Sequence, residues 1–211
     1  MAVMTRVLSR AFLIESDLPG PVGRCFVRTE EELWARLSEL GPGVSLRTKR
    51  AFGCAGRGHR TLRERLIKDD RTFLLDGLRA GGLAIESELH IKGEFSIHGV
   101  IKATGETLLG KPCRCTMDAY HQPLTIERVE EESLLTQQAT ALGVHAAQEL
   151  FSAGYFGPFG LDLLDADKNG GFDGGNILAS DLNARFTLGW STGMAELREQ
   201  ALQWVLSARE R

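Results

Sequence analysis

Three polar side chains in the C-terminal third of the chain could hold a metal ion. Asp162 and Asp181 lie on two apolar segments, FGLDLL and ILASDLN, that a glycine-rich turn joins. If these segments fold as a hairpin, the two aspartates stand opposite each other, about 4.5–5.5 Å apart. Asn183 then points to the same face as Asp181, because it follows by two residues. Two carboxylates and one amide oxygen suit a hard cation such as Mg2+, although polar residues flanking a surface hairpin give the same pattern.

The turn between the two segments offers a second metal pattern. Four of its residues match the opening of an EF-hand calcium loop: Asp165, Asp167, Asn169 and Gly170. The twelfth position of that loop holds Asn176 in place of the bidentate glutamate, and the flanking segments have strand character. We therefore expect the turn to be a connector, since Asp, Asn and Gly favour tight turns.

A glycine-rich, cationic loop follows a lysine in the N-terminal third of the chain. Lys49 stands at the end of a strand-like segment. The loop after it carries Gly53, Gly56, Arg57 and Gly58. Backbone N–H groups beside the glycines can approach phosphate oxygens, and Lys49 supplies a point charge. The loop is not a Walker A motif, because His59 stands at the position of the lysine, and a glycine-rich surface turn is an equal interpretation.

An acidic segment lies between the glycine loop and the metal pattern. Glu86 and Glu88 fall at the end of GLAIESEL, and Glu94 begins the next strand-like segment. The order along the chain is therefore lysine, glycine loop, acidic segment, a further carboxylate, and oxygen ligands.

Helices and antiparallel strands must position these residues. A capping box at Thr29–Glu32 predicts the start of a helix that Gly41 closes. The following elements are predicted in order: a strand over 44–52, a helix over 69–79, antiparallel strands over 82–120, a long helix over 131–153, the hairpin, and a final helix over 193–209. The fold class is α+β. We expect two lobes, with the glycine loop in residues 1–81 and the central antiparallel sheet and the metal hairpin in residues 82–211.

Composition excludes several classes of function. The chain has 211 residues, of which 43% are hydrophobic and 25% charged, as in an ordinary globular protein. Its net charge of −3, without a basic stripe, argues against nucleic acid as a partner. No apolar run approaches the roughly 20 residues of a membrane span, and no secretion signal is visible. The four cysteines lack metal-site spacing, so we expect reduced thiols and a cytoplasmic location.

Four segments in this order resemble the ATP-grasp superfamily, over essentially the whole chain from about Leu18. They are TKRAFGCAGRG, AIESELHIKGEFSIHG, GYFGPFGLDLL and ILASDLNARFTLG. The resemblance implies two α+β lobes whose antiparallel sheets grip a nucleotide between them.

The resemblance also implies roles for individual residues. Lys49 would hold the nucleotide phosphates beneath a flap formed by Gly53, Gly56, Arg57 and Gly58. The adenine would be received by the linker Glu86, Ser87, Glu88 and Leu89, and the ribose hydroxyls by Glu94. The ligands of Mg2+, or of Mn2+ as the alternative, would be Asp162, Asp181 and Asn183. The catalytic residues would be Lys49 and Arg185, the latter facing the transferring phosphoryl group. Separately from the resemblance, we expect His98, which lies in or near a strand, to have only a packing or surface role.

The sequence departs from the family pattern in three respects. Asp181 stands where the family more often has a glutamate, and only arginines such as Arg6 and Arg10 stand where many relatives have a further phosphate-contacting lysine. The family also usually carries a preceding α/β domain. We expect a partner chain to supply that domain, or the protein to form a homodimer.

The activity that the resemblance implies is that of a ligase. ATP would activate a carboxylate as an acyl phosphate, which an amine or a thiol then attacks. This chemistry depends mainly on positioning and charge neutralisation, so no side-chain nucleophile is needed. The alternative is a nucleotide-binding module without catalysis, or a fragment that needs a partner carrying the preceding domain.

Overall fold

The structure is a computed structural model that describes residues 3–38, 43–53, 58–63, 65–118, 123–167 and 177–207. The expectations for Gly41, Gly56 and Arg57, and for the turn that follows Asp167, lie outside the described residues.

Helices and strands alternate along the described parts of the chain. In chain order they are α1 (Val3–Val7), α2 (Arg10–Glu15), β1 (Cys25–Val27), α3 (Glu30–Ser38), β2 (Leu46–Arg50), β3 (His59–Leu62), α4 (Lys68–Arg79), β4 (Leu83–Ser87), β5 (Ile91–Ile101), β6 (Thr107–Leu109), β7 (Cys113–Met117), β8 (Pro123–Arg128), α5 (Leu134–Ser152), β9 (Gly157–Ala166), β10 (Ile177–Asn183), α6 (Trp190–Gly193) and α7 (Arg198–Ser207). Of the helices described, none has both the length and the apolar character that crossing a membrane requires.

A small antiparallel sheet has the strand order β1-β4-β2-β3. Helices α3 and α4 pack on it, and Leu33 and Leu74 from the helices share a fully buried cluster with Leu83 and Ile85 from β4. The predicted capping box at the start of α3 is confirmed, because the Glu32 amide donates to Thr29 Oγ1 and the Thr29 amide donates to the Glu32 carboxylate, each at 3.2 Å.

A larger antiparallel sheet has the order β10-β9-β5-β7-β8, with β6 paired to β5. Helix α5 covers one face, where Ala146 and Leu150 meet Ile97, Leu161 and Leu163 in the main core. The opposite face carries the polar residues of β9 and β10. Two antiparallel sheets with helices on them confirm the α+β class.

The two sheets divide the chain differently from the expected boundary at residue 81. Strand β4 follows residue 81, yet it pairs with β1 and β2 in the small sheet. The change from one sheet to the other therefore falls between Ser87 and Ile91. The N-terminal helices also join the other lobe, since Val7 and Phe12 belong to the main core beneath the larger sheet.

The last predicted helix begins later than expected. Residues 193–209 were expected to form one helix, but α7 begins at Arg198, and a separate short helix, α6, ends at Gly193. Trp190 and Met194, from α6 and its C-cap, pack with Ala201 of α7 against Val100 of β5. The turn between α6 and α7 lets two short segments follow the same surface of the larger sheet.

Candidate active site

The predicted hairpin is present, and it places the two aspartates opposite each other. Asp181 of β10 pairs with Asp162 of β9, and Asn183 pairs with Gly160. The register shifts between Ala179 and Asp181, which makes a β-bulge that leaves one extra residue in β10. The two carboxylates therefore face the same side of the larger sheet.

The surroundings of Asp162 shift its pKa upward. Burial, followed by the negative charge of Asp181, raises the pKa of Asp162 to about 7. The Asn183 side-chain amide opposes this shift, because its Nδ2 donates to Asp162 Oδ2 at 3.2 Å. The Asn183 Oδ1 atom accepts from Arg185 Nη2 at 3.0 Å. Asn183 and Arg185 thus form one polar chain that ends on the buried carboxylate.

The two carboxylates fit a hard cation whose remaining coordination positions are filled by phosphate oxygens and water. Within the described ranges, no three His, Cys, Asp or Glu side chains lie close enough together to hold a metal ion by themselves. Mg2+ does not need such a cage, because it is commonly bound by one or two carboxylates together with phosphate oxygens and water. Asp162 and Asp181 meet that requirement. Asn183, as oriented, turns its amide nitrogen toward Asp162 and its oxygen toward Arg185.

Lys49 forms a buried ion pair within the small sheet and reaches the larger sheet through hydrogen bonds to Ser180. Its Nζ lies 2.5 Å from Glu86 Oε1, and both side chains are about 5% exposed or less. The same nitrogen donates to the carbonyl oxygen of Ser180 at 3.3 Å and to its hydroxyl at 3.2 Å. A lysine of the small sheet is therefore fixed beside the bulge in β10. Because two buried charges must compensate each other, Glu86 is the residue that holds Lys49 in place.

Glu88 is held by an arginine that the sequence pattern did not single out. Arg47 Nη2 donates to Glu88 Oε1 at 2.6 Å, and Arg47 Nε lies 3.2 Å from both oxygens. The Thr61 hydroxyl donates to the same carboxylate at 3.1 Å. The side-chain hydrogen bond that Arg47 donates to Glu88 is also the main cause of the raised pKa of Arg47.

A cavity of about 430 Å3 between the two sheets gathers most of the expected site residues. Its volume lies in the range of small-molecule pockets, roughly 300–1,000 Å3. The expected residues that line it are Lys49, Glu86, Ser87, Glu88, Leu89, Glu94, Asp162, Asp181, Asn183 and Arg185. Gly53 and Gly58 are described but are not among its lining residues, and Gly58 instead takes a positive φ of 85° where the chain turns into β3.

Apolar side chains also line the cavity. Leu89, Met117, Ile126 and Leu164 belong to this lining together with the acidic residues Glu86 and Glu88. A wall of this kind suits a flat, weakly polar ring, because pockets for organic ligands combine apolar walls with a few placed polar groups.

Arg10, one of the N-terminal arginines noted in the sequence, enters the cavity from α2. The residue is 5% exposed, and its Nη2 donates to Asp181 Oδ2 at 2.9 Å. Nη1 donates to the Arg50 carbonyl oxygen at 2.7 Å, and Nη2 lies 3.1 Å from His59 Nε2. Arg10 therefore ties the first helices, the small sheet and the hairpin together.

His98 lies in the lining of the cavity with both ring nitrogens in hydrogen bonds. Its Nε2 lies 2.9 Å from Ser96 Oγ, and its Nδ1 lies 3.0 Å from Thr187 Oγ1. The residue is 1% exposed, and burial lowers its pKa to about 4. The ring is therefore neutral at physiological pH. The packing role expected for His98 is present, together with polar contacts that sequence spacing could not show.

Three glycines from different segments make room for the His98 ring. A Cβ added at Gly160, Gly189 or Gly193 would lie 2.9, 2.6 or 2.8 Å, respectively, from an atom of the ring. Gly160 lies in β9, Gly189 precedes α6, and Gly193 ends it. Since such approaches exclude a side chain, the glycines fix the imidazole between β5 and the segment that carries Arg185.

The fold is similar to that of solved enzymes with bound nucleotides. The chain matches over 96% of its length a complex of biotin carboxylase with beta-gamma-ATP from Campylobacter jejuni, with a TM-score of 0.73 and 16% identity, and covers 47% of that chain. It also matches N5-carboxyaminoimidazole synthetase from Staphylococcus aureus complexed with ADP, with a TM-score of 0.66, 12% identity, and coverage of 95% of this chain and 52% of that chain.

A third similar structure holds magnesium as well as nucleotide. This is the biotin carboxylase domain of the 2-oxoglutarate carboxylase from Hydrogenobacter thermophilus, in complex with MgADP, ADP and bicarbonate. The TM-score is 0.68 at 17% identity, with coverage of 88% of this chain and 41% of that chain. The chain has the ATP-grasp fold, as the four sequence segments predicted.

The similarity lies in the fold and not in overall sequence. No protein-family model and no curated protein sequence matches the chain. The chain spans about half the length of the solved structures named above, from 41% to 52%.

Proposed function

We propose that the protein binds ATP with Mg2+ and acts as an ATP-dependent ligase that activates a carboxylate. The observation that carries the proposal is the cavity between the two sheets, which brings the buried Lys49–Glu86 pair against the paired Asp162 and Asp181. A basic group that suits phosphate and two carboxylates that suit a divalent cation thus line the same cavity. The nucleotides bound in structures of the same fold support the assignment.

The polar and apolar residues of the cavity suit the two parts of ATP. The adenine would lie against apolar side chains near Leu89, with the backbone of the 86–89 link at its edge. Glu94 would accept hydrogen bonds from the ribose hydroxyls. Lys49 would then donate to the phosphates, close to the hairpin that carries the aspartates.

The residues at the hairpin would organise the transfer of the phosphoryl group. Asp162 and Asp181 would hold Mg2+, which neutralises charge on the phosphates when it is bound. Arg185 would face the transferring group, because its planar fork matches the oxygens of a phosphate. Asn183 orients Arg185 through the hydrogen bond to its guanidinium. These groups would position the phosphates and neutralise their charge, which is what phosphoryl transfer to a carboxylate oxygen requires.

The carboxylate and the amine or thiol that attacks the acyl phosphate belong to the same proposal. A partner chain or a second copy of this chain would contribute to their binding site. The region that this chain matches is about half of each solved enzyme. The matching cofactor set is ATP with Mg2+, and Mn2+ would be the substitute.

The first experiment is isothermal titration of the protein with ATP in the presence of Mg2+. Binding at sub-millimolar nucleotide is expected, and it should be lost in Asp162→Asn, which removes one of the two carboxylates from the proposed cation site. No detectable binding at millimolar ATP would contradict the proposal. The proposed ligase activity is then tested by measuring phosphate release with and without an added carboxylate and amine.

A non-catalytic nucleotide-binding module is the second candidate. The orientation of Asn183 favours it, because the amide oxygen is engaged by Arg185 and leaves two carboxylates for the cation. Tight ATP binding without substrate-dependent phosphate release, across a panel of carboxylates and amines, would support the module over the ligase.

A further inference from the structure

We propose that Arg10 is a built-in cation of the metal site and limits that site to one divalent ion when nucleotide is bound. The inference rests on the proposed function, since it concerns how the same site handles ATP and Mg2+. It gives a role at the metal site to Arg10, which is absent from the proposed ligand set.

The geometry holds the Arg10 guanidinium firmly against Asp181. The side chain is 95% buried, and its Nη2 lies 2.9 Å from Asp181 Oδ2. Two further contacts, to the Arg50 carbonyl oxygen and to the His59 ring, fix the same group from the small sheet. A surface arginine would exchange this contact with water, whereas a buried and triply held one keeps its place.

This contact places a fixed positive charge against one of the two oxygens of Asp181. A guanidinium keeps its positive charge at every pH at which proteins are folded, so it does not leave by deprotonation. In a site with two metal ions, the ions lie about 3.5–4 Å apart and share a bridging carboxylate that needs both of its oxygens. Oδ2 of Asp181 is already engaged by Arg10, which leaves Oδ1 for a metal ion. Arg10 therefore supplies the positive charge that a second ion would bring.

A second observation is that one hydrogen-bond donor of the Arg10 side chain is unsatisfied. Its Nε is buried and has no hydrogen-bond partner among the residues that the structure describes. A buried donor without a partner is unfavourable and uncommon. Since Arg10 lines the cavity, an anionic oxygen of the bound nucleotide would satisfy this donor.

The test counts bound Mn2+ instead of measuring activity. The full chain is saturated with the non-hydrolysable analogue β,γ-methylene-ATP and titrated with Mn2+, while electron paramagnetic resonance follows the free ion. We expect one tightly bound Mn2+ per chain in the wild type and two in Arg10→Gln, because the second Asp181 oxygen becomes accessible. Arg10→Lys, which keeps the charge, should still bind one.

Arg6→Gln is the matched control, since it removes the same charge from the same N-terminal segment. Arg6 lies over the Phe12 ring and makes no ion pair with Asp181, so this variant should bind one Mn2+. Two Mn2+ ions in the wild type would overturn the inference, whether or not Arg10→Gln folds, and would leave the proposed function standing. One ion in both the wild type and a folded Arg10→Gln would overturn it as well. Failure of the wild type to bind the analogue would overturn the proposed function and the inference with it.

Discussion

His98 keeps an uncharged imidazole inside the protein, and this makes stability depend on pH. Burial lowers its pKa from 6.5 to about 4, so the unfolded chain binds the proton more readily than the folded protein does. The stabilising contribution is complete above pH 6.5 and is lost as the pH falls toward 4. We expect the free energy of unfolding to drop by about 2 kcal/mol between pH 7 and pH 5 from this residue. Urea unfolding at several pH values measures the change.

The contribution of His98 can be separated from that of other groups. In His98→Asn the part of the slope between pH 7 and pH 5 that comes from the imidazole should disappear. Should that variant not fold, proton NMR of the wild type still decides, because a His98 ring that titrates near 6.5 would refute the prediction.

Variants of the buried pair Lys49 and Glu86 can separate the effect of Lys49 on folding stability from its effect on ATP binding. Lys49→Met leaves the carboxylate of Glu86 buried without its partner, which we expect to cost about 3–5 kcal/mol of unfolding free energy. The double variant Lys49→Met/Glu86→Gln should recover most of that loss, because no isolated charge remains. It should nevertheless fail to bind ATP in calorimetry. ATP binding by the stable double variant would show that Lys49 does not contact the phosphates.

The sequence predicted which residue types form the site, but not the long-range contacts that hold them. The aspartates, Lys49 and the acidic segment could be predicted, because their chemistry and spacing along neighbouring segments carry the signal. Arg10 could not, since it meets Asp181 across 171 positions of the sequence. His98 was underestimated for a similar reason: the three glycines and two hydroxyls that hold it come from separate segments.

At the scale of elements, the packing of β9 against the ring of His98 is tight enough to test. A Cβ at Gly160 would lie 2.9 Å from both His98 Nδ1 and Thr187 Oγ1. Gly160→Ala should therefore cost about 1–3 kcal/mol of stability, as other insertions of a methyl group into packed interiors do. Thermal unfolding measures the loss. The paired variant Gly160→Ala/His98→Ala should lose less than the sum of the two single changes, and simple additivity would count against this contact.

The predicted elements differ from the observed ones mainly at their ends. Helix α5 was expected over 131–153 and runs from Leu134 to Ser152, because Ser133 caps it and accepts from the Thr136 amide. The last helix was expected from residue 193 and begins at Arg198, after the turn in which Met194 packs on the larger sheet. Local periodicity carries no signal for this later start, since it reflects the spacing of apolar residues and not their long-range contacts.

At the scale of the whole molecule, a ligand between the two sheets should stabilise both lobes. Residues from both sheets line the cavity, so a nucleotide bound there links them in the folded state and is lost on unfolding. At ATP concentrations about 100 times the dissociation constant, the expected gain is about 2.7 kcal/mol, or roughly 5–10 °C in the midpoint of thermal unfolding. Differential scanning fluorimetry with MgATP measures this shift. The double variant Lys49→Met/Glu86→Gln is the control and should show no shift.

The bulge in β10 allows Asp181 to face Asp162 across the hairpin. In a regular strand Ala179 and Asp181 would share a face, because side chains alternate. The extra residue at Ser180 breaks that alternation, so Ala179 is fully buried in the core while Asp181 lines the cavity opposite Asp162. Deleting this one serine would make Ala179 and Asp181 neighbours, and plain alternation would then keep Asp181 facing the cavity opposite Asp162. The deletion would instead remove the Ser180 carbonyl and hydroxyl to which Lys49 donates. For this fold, then, a gap of one position at Ser180 in an alignment indicates a lost contact of the lysine, with both aspartates still in place.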